Sequence, residues 1–477
     1  MNRSIWILFL FLAGCTLGPN HEVPEVCFPC HYEEAPCQTD CVELATWWQQ
    51  FDDPLLDEFI EEALSCNYDL QIALHKIEEV RALYKIDRSN LYPQIQGNMV
   101  GLRARRSENL GTDPIETSES PVELIPPDFS GPLIQYFFQA GFDASWELDF
   151  FGKNKRKAQA AYHDFEATQE SALDVQITLL SDVARSYIDI RALQQEIETK
   201  EDQIERQKDL LELAKSRYDA GLTSYLDVTK AQAELDAQES SLPPLQEQLK
   251  QTIHGLAILL GKPPENFCVG EGLIPKARGL IPSDLPSDLL CRRPDIRRAE
   301  RELAGATARI GVAKAELFPS FSLLGSFGTQ SSVLDKLFIW PSRFWTIGPS
   351  MIWNLFTGGR LLAQIEVTNE RQKQAILSYE SAINDALKDV EDRLVGYFKE
   401  ESRLESLEEQ LSTTSLLRDL TFDQYLSGLI SFDDVLDAEK DLFQTQQTMI
   451  QSQGTLMLQL VGLYKALGGG WECFASH

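Results

Sequence analysis

The chain has 477 residues, with 73 Asp and Glu against 43 Lys and Arg and a formal net charge of −30. Such acidity argues against nucleic acid as a partner, because its binders carry basic patches. Beyond residue 14 no run of about 18 apolar residues occurs, which excludes a transmembrane helix and leaves a closed β-barrel as the only way to cross a bilayer.

The first residues read as an export signal. Arg3 supplies the positive start, Ile5 to Leu12 the apolar core, and Leu12-Ala13-Gly14-Cys15 a small-residue cleavage site. A site of this kind ending in Cys is the pattern of bacterial lipoprotein signals, so 1–14 is expected to be removed and Cys15 to carry lipid. An ordinary cleaved signal that happens to contain a Cys is the alternative. Thr16 follows, where an Asp would favour retention in the inner membrane. One lipidated residue anchors a protein without spanning anything.

Residues 15–52 read as a lipid-anchored tail, rich in Cys and Pro and without hydrophobic periodicity. It holds Cys27, Cys30, Cys37 and Cys41, and Cys66, Cys268, Cys291 and Cys473 follow. In an exported protein disulfides are the default for such thiols, and the sequence leaves their pairing open. Cys268 and Cys291 flank a Pro-rich connector, 266–293, and are placed to bridge it. Cys27-Phe28-Pro29-Cys30-His31 also fits c-type haem attachment, but a haem needs a packed domain that this tail lacks, so no cofactor is expected.

From residue 53 the pattern becomes regular, and 53–265 forms one structural unit. Asp53 to Ser65 reads as a short amphipathic helix, and a second helix runs from Asn67 to Tyr92, ended by Pro93. Strands are expected at about 93–103 and 134–148. In the second, Ile134, Tyr136, Phe138, Ala140, Phe142, Ala144, Trp146 and Leu148 alternate with mostly polar or small residues. That length suffices to cross a bilayer at a tilt; the other reading is a soluble sheet with one wet face. The stretch between the strands is rich in Pro, Gly, Ser and Glu, as an exposed outer loop would be.

A helical hairpin is expected over 155–260. Its rod, Lys155 to Asp219, would be about 100 Å long at 1.5 Å per residue, and Ile190, Ile197, Ile204, Leu211 and Tyr218 recur at seven. The chain then reverses at Gly221-Leu222-Thr223-Ser224-Tyr225-Leu226-Asp227 into a returning helix from Ser224 to Leu260. Gly suits the left-handed residue after a helix, and Ser-x-x-Asp fits a variant capping box.

The second half repeats the first. Trp146, Gly152, Gly221, Val228 and Leu260-Gly261 reappear 207 positions on as Trp353, Gly359, Gly428, Val435 and Leu467-Gly468. Upstream, Leu91-Tyr92-Pro93 and Asp69 match Leu317-Phe318-Pro319 and Asp295 at an offset of 226, so the extra residues of the first half fall in its outer loop. The second unit, 294–470, is expected to have strands at about 319–329 and 344–355 and a helical hairpin over 360–467, leaving 471–477 as a tail. Tyr397, Leu404, Leu411 and Tyr425 carry its heptad, with Arg418 the exception, and its turn is Gly428-Leu429-Ile430-Ser431-Phe432-Asp433-Asp434. A returning helix and a strand-feeding helix together roughly match one rod, so two short helices can stack end to end beside it. Four strands cannot close a barrel. Two chains would supply eight, and three would supply 12 and a lumen.

The lipobox, the run Cys291-Arg292-Arg293-Pro294-Asp295-Ile296-Arg297-Arg298-Ala299-Glu300, both Gly-x-x-Ser tips and the strand-to-rod Trp…Gly pairs resemble those of the outer-membrane factors of tripartite efflux and secretion systems. This is the TolC/OprM family, in its NodT-type lipoprotein branch. The resemblance implies a mainly α protein with membrane β: a homotrimer whose 12-strand β-barrel in the outer membrane continues into a coiled α-helical barrel across the periplasm. It implies passive conduction of small molecules, drugs or secreted proteins from a periplasmic adaptor and an inner-membrane pump. Asp434, Asp437 and, in the first repeat, Asp227 correspond to acidic residues of the periplasmic gate, and Tyr425 to a gate tyrosine. Two Asp at i and i+3 share a helix face, and a threefold axis would gather them into a cation-binding ring; capping and the helix dipole are the bland reading of the same residues. Some members place an Arg near the gate tyrosine. Here Ile430 stands there, with Gln453 at the partner position, so that ion-pair lock does not carry over. The tips, Gly221, Leu222, Leu226, Gly428, Leu429 and Phe432, are candidates for adaptor contact, or else for packing within the turn.

Enzyme readings find nothing to stand on. His21, His31, His75, His163, His254 and His477 are scattered without ligand spacing, and no phosphate loop, nucleophile elbow or zinc motif occurs. No metal site is expected. The alternative from another class is a structural envelope lipoprotein whose coiled-coil rods are cross-linked by disulfides.

Overall fold

The structure, a computed structural model, describes residues 16–24, 32, 44–105, 107, 134–276 and 289–471, without the side chain of residue 291. The signal, Cys15, Cys27, Cys30, Cys37, Cys41, Cys473, the side chain of Cys291 and nearly all of the outer loop lie outside the described residues. A 3-10 helix at Leu44–Phe51 leads into α1 (Pro54–Cys66) and α2 (Tyr68–Ser89), then β1 (Gln94–Arg105) and β2 (Ile134–Leu148), the rod α3 (Lys153–Asp219) and the returning α4 (Tyr225–Leu259). The second set is α5 (Pro294–Ala315), β3 (Ser320–Ser331), β4 (Arg343–Ile352), the rod α6 (Arg360–Leu426) and the returning α7 (Phe432–Ala466).

The duplication holds to the residue: α6 and α7 begin and end 207 positions after α3 and α4, and α5 and β3 begin and end 226 after α2 and β1. Only β4 is trimmed, to 10 residues against 15 in β2. Ile352 pairs with Ser320, the first residue of β3, so no partner remains for Trp353 and Leu355, which the alternation had put on the strand. α2 stops at Ser89 rather than Tyr92. Leu91 and Tyr92 donate instead to the carbonyls of Arg88 (3.1 Å) and Ser89 (3.0 Å), a tightened turn ahead of Pro93. With 22 residues in α2 and 35 in α4 against 67 in α3, the two short helices are shorter than the rod.

The chain divides into two compact units. One contains Arg81–Asp164, Leu303–Gln374 and the described residues within Met1–Glu22. Its centre is a four-stranded antiparallel sheet in the order β1-β2-β3-β4, so β1 and β4 are open edges. Paired residues share a face, and the register sorts the strands cleanly. One face carries Ile95, Met99, Phe142, Trp146, Phe327, Trp345, Ile347 and Met351, all exposed in the chain. The other carries a polar row across all four strands, Gln96, Asp143, Ser326 and Thr346. Asp143 accepts from Asn98 and from the Ser326 hydroxyl (2.7 Å), so its carboxylate is tied to both neighbouring strands. At the helix-bearing end, Trp146 donates its indole N–H to the Leu91 carbonyl (3.1 Å) and Trp353 to that of Leu317 (3.0 Å), the same bond in each repeat. Both carbonyls lie in the short turn between a helix end and the following proline, where the helix ladder no longer supplies a donor.

The segment after Cys15 lies against this same junction. Leu17 donates its N–H to the Phe151 carbonyl (3.3 Å), and buried Arg156 donates to the carbonyls of Leu17 (3.1 Å) and Gly18 (3.3 Å) and to the Asn20 amide oxygen (2.9 Å). Gly18 and Gly311 meet so closely that a side-chain carbon on Gly18 would stand 2.5 Å from the Gly311 Cα.

The other unit contains Phe165–Glu302 and the described parts of Val23–Val80 and Ala375–His477. Leu56 and Ile60 of α1, Tyr187 and Ile188 of α3 and Leu460 and Tyr464 of α7 are wholly buried in one cluster. Leu44–Phe51, within the stretch read as a tail, belongs to that core: Trp47 stacks on Tyr464 at 5.2 Å between ring centres. The end of each returning helix is welded to the strand-feeding helix of its own repeat by the residue just before that helix starts. Asn67 donates its amide to the Leu259 carbonyl (2.9 Å) and accepts from the Leu70 N–H (2.9 Å). At the equivalent place Arg293 donates to the Ala466 carbonyl (2.9 Å) and forks onto Asp295 (2.7 Å). Burial pushes the Asp295 carboxyl up, but the Arg293 fork outweighs it and leaves the group below its ordinary value. The arginine run singled out in the sequence is therefore an internal clasp. Arg297 reaches Glu170 (2.7 Å), Arg298 Asp174 (3.7 Å) and Arg301 Glu166 (3.6 Å), binding α5 to the rod α3. Cys66 and Cys268 are free and exposed, and the expected bridge from Cys268 to Cys291 falls on a side chain outside the described residues.

Candidate functional site

The site expected from the sequence is the pair of turns that end the rods, and both lie in the second unit. α3 ends at Gly221 (φ 68°), whose N–H donates to the Tyr218 carbonyl (2.8 Å) while Leu222 donates to that of Arg217 (2.9 Å). α6 ends the same way at Gly428 (φ 74°), with Gly428 bonded to Tyr425 (2.9 Å) and Leu429 to Gln424 (3.0 Å). This double bond to the last turn requires a left-handed residue, which glycine adopts without strain.

The helices that leave the turns start differently. Ser431 and Asp434 form the reciprocal capping box: the Asp434 N–H donates to Ser431 Oγ (3.4 Å) and the Ser431 N–H to Asp434 Oδ2 (2.9 Å). The Ser431 hydroxyl also donates to Asp434 Oδ2 (2.7 Å), and this bond, followed by that from the Ser431 N–H, holds the Asp434 carboxyl below its ordinary value. In the first repeat Ser224 accepts from the Leu226 N–H (3.2 Å), and the Asp227 N–H goes to the Ser224 carbonyl (3.1 Å). Asp227 thus completes no box, contrary to expectation, because the serine hydroxyl is already used one residue earlier.

The structure brings the two tips together. Tyr425, Phe432 and Val435 of the second hairpin share a small core with Leu211, Ala214, Val228 and Ala231 of the first. The Arg217 guanidinium lies 4.4 Å from the centre of the Tyr425 ring and donates to the Tyr425 carbonyl (3.3 Å). Lys230 pairs with Asp433 at 2.6 Å. Burial, opposed by Arg217 and reinforced by Asp227, holds the Tyr425 hydroxyl above its ordinary value. One layer in, the heptad exception Arg418 approaches Glu439 (3.8 Å), a buried carboxylate pushed up by burial against the pull of Arg418 and Arg206. Sequence reasoning missed Arg217, Lys230 and Asp433. The repeat equivalent of Arg217 is Gln424, so no duplicated signal marks it.

Of the expected contact residues, Leu222, Leu226 and Leu429 are exposed at the tips, with Gly221 and Gly428 open beside them. Phe432 is not available: it is 3 % exposed, its ring 5.4 Å from that of Tyr425. Asp434 and Asp437 are exposed on the first turns of α7, and Asp227 is half-buried on α4. Among the described residues no helix is long and apolar enough to cross a membrane, and no three His, Cys, Asp or Glu are grouped to hold a metal ion.

A family model described as outer membrane efflux protein matches residues 59–262 and 285–469. The solvent efflux pump outer membrane protein SrpC of Pseudomonas putida is 32% identical over 471 residues, 97% of each chain. The cation efflux system protein CusC of Escherichia coli (strain K12) is 30% identical over 468 residues, again 97% of each. The solved structure of the outer-membrane channel OprN superposes with a TM-score of 0.87 at 30% identity, covering 96% of this chain and 100% of that one. These full-length likenesses lend no support to a cross-linked scaffold.

Proposed function

The chain belongs to the outer membrane efflux protein family, and from that premise we propose that it is one third of a trimeric exit duct. The observation that carries this reading is the sheet: four long strands with two open edges and an exposed apolar face. Such a sheet is stable neither alone in water nor alone in lipid, where every edge must be paired. Three copies supply 12 strands and a lumen. The sheet crosses the outer membrane and the helical hairpins reach into the periplasm. Cys15 carries the lipid; the bond from Leu17 to Phe151, at the junction of β2 and α3, suits an anchor at the membrane surface.

At the tips of the rods Leu222, Leu226 and Leu429 meet a periplasmic adaptor, and Asp434 and Asp437, joined by Asp227, line the closed periplasmic mouth, with Tyr425 holding the tip core together. Transport is passive, driven through the adaptor by an inner-membrane pump, and no catalysis is involved. Relatives named for solvent and for cation efflux each match over 97% of the chain, which fits a duct whose cargo is chosen elsewhere. The test is the mass of the detergent-solubilised oligomer together with conductance in planar bilayers. A trimer with stable conductance steps is expected, its block by divalent cations weakened by Asp434→Ala and Asp437→Ala. A monomer without steps rejects the duct, and unchanged block rejects the acidic mouth.

A further inference from the structure

Charge is segregated on the sheet. Among the described strand residues the cations are Arg103, Arg105 and Arg343, and the register places all three on the apolar face, paired with Tyr136, Ile134 and Thr329. Both strand carboxylates, Asp143 and Glu147, stand on the opposite face. An arginine on a lipid-facing surface is costly near the bilayer centre and tolerated only at its margins. The three are also confined to the strand ends farthest from α2 and α3.

Their height can be placed. Tyr136, opposite Arg103, is ten residues along β2 from Trp146, whose indole is fixed at the helix-bearing end. At about 3.4 Å per residue and a tilt of about 40° this is ~26 Å along the membrane normal, the height of an apolar band of about 25 Å. Arg103 and Arg105 therefore reach the headgroup layer on the far side, and Arg343, level in the register with Ala140, lies four residues short of Arg103 along the strand direction, from where its long side chain snorkels toward the same layer. Aromatic surface surrounds them: Arg103 lies 5.5 Å from the Tyr136 ring centre, Arg343 lies over Trp340, and Phe338, Trp340 and Trp345 are exposed. At the opposite end of the strands, cations of α3 are held within the chain. Lys157 pairs with Asp87, Lys153 with Glu316, and Arg156 is taken up by residues 17–20. Moreover, β1 and β4 are the edges that the proposed barrel joins, so Arg343 of one copy and Arg103 and Arg105 of the next flank one seam.

Resting on the duct reading, we infer that each seam binds the phosphorylated headgroup of an outer-leaflet glycolipid, with guanidinium forks on its phosphates and the aromatic rim on its acyl chains. The test titrates the detergent-solubilised full-length oligomer with bisphosphorylated lipid A and with the same lipid after removal of its phosphates, reading bound lipid by native mass spectrometry. The intact protein is expected to prefer the phosphorylated lipid by about tenfold or more. The combined Arg103→Gln, Arg105→Gln and Arg343→Gln variant is expected to lose that preference while its single-channel conductance is unchanged. Equal binding of both lipids by the intact protein, or a preference that survives in the variant, overturns the lipid site while leaving a conducting duct. Absence of conductance from the intact protein overturns the duct itself.

Discussion

The same pair of rings stands at both helical tips, with opposite fates. Tyr218 and Tyr225 lie 5.3 Å apart in the first repeat, and their equivalents Tyr425 and Phe432 lie 5.4 Å apart in the second. The first pair is 43 % and 63 % exposed, and each ring of the second is 3 % exposed. Duplication preserved the backbone and the ring geometry; what diverged is the cover. Arg217 and the apolar face of α4 close over the second pair, and among the described residues nothing closes over the first. In the trimer proposed above, such a surface forms one half of a head-to-tail contact that closes when copies are arranged in a ring.

The largest effect should come from removing a covered ring. Phe432→Ala empties a packed position and is expected to cost about 3–5 kcal/mol at the tip, whereas Tyr225→Ala should change the stability of the chain by no more than about 0.5 kcal/mol. Hydrogen-exchange protection of the tip amides measures both. The comparison sharpens if Tyr225→Ala leaves protection intact yet makes the oligomer dissociate at lower detergent concentration. It breaks if the two substitutions cost the same.

The helix junctions offer a second contrast between repeats. Arg293→Leu frees the Ala466 carbonyl and leaves Asp295 and Asp389 without their partner. We expect about 2–3 kcal/mol, below the value for a fully buried pair because solvent reaches Asp389. Asn67→Leu removes two neutral hydrogen bonds and should cost about 1–2 kcal/mol. Denaturant-dependent exchange of the α4 and α7 C-terminal amides would rank them, and equal losses would show that the ion pair adds nothing to the weld.

Much of this was legible in the residues. Period-two alternation marked the strands and even their two faces, because a strand buried on neither side still sorts lipid from water residue by residue. The glycine turns and heptads marked the rods. What was missed depends on contacts between segments far apart in the chain. Trp47, Trp48 and Phe51 sit in a stretch without periodicity, and only the meeting of Trp47 with Tyr464 shows that they are core. Arg418 breaks the heptad because its neighbour is Glu439, beyond a turn. At the site, the exposed leucines and the acidic first turn of α7 could be read directly. The stacking of Arg217 on Tyr425 could not, since it pairs unlike residues from different repeats. Ser-x-x-Asp is identical at the two tips, yet the choice of amide by one serine hydroxyl makes a box in one and not in the other.

That last difference predicts the smallest effect and the most specific one. The Asp434 carboxyl is held below its ordinary value of 3.8 by the Ser431 hydroxyl and N–H. A group whose value is depressed on folding contributes stability above its unfolded value, and that contribution is lost as pH falls through the folded value. Acidification from pH 6 to below about 3.8 should therefore loosen the start of α7, read as a falling protection factor at Val435 and Leu436. Asp434→Asn keeps an acceptor for the cap but cannot titrate, so it should abolish this pH dependence. Val228, equivalent to Val435, follows a serine that caps without a carboxylate, and its protection should stay flat over the same range. A parallel fall at Val228 would mean that acid loosens both tips by a route unrelated to the capping box.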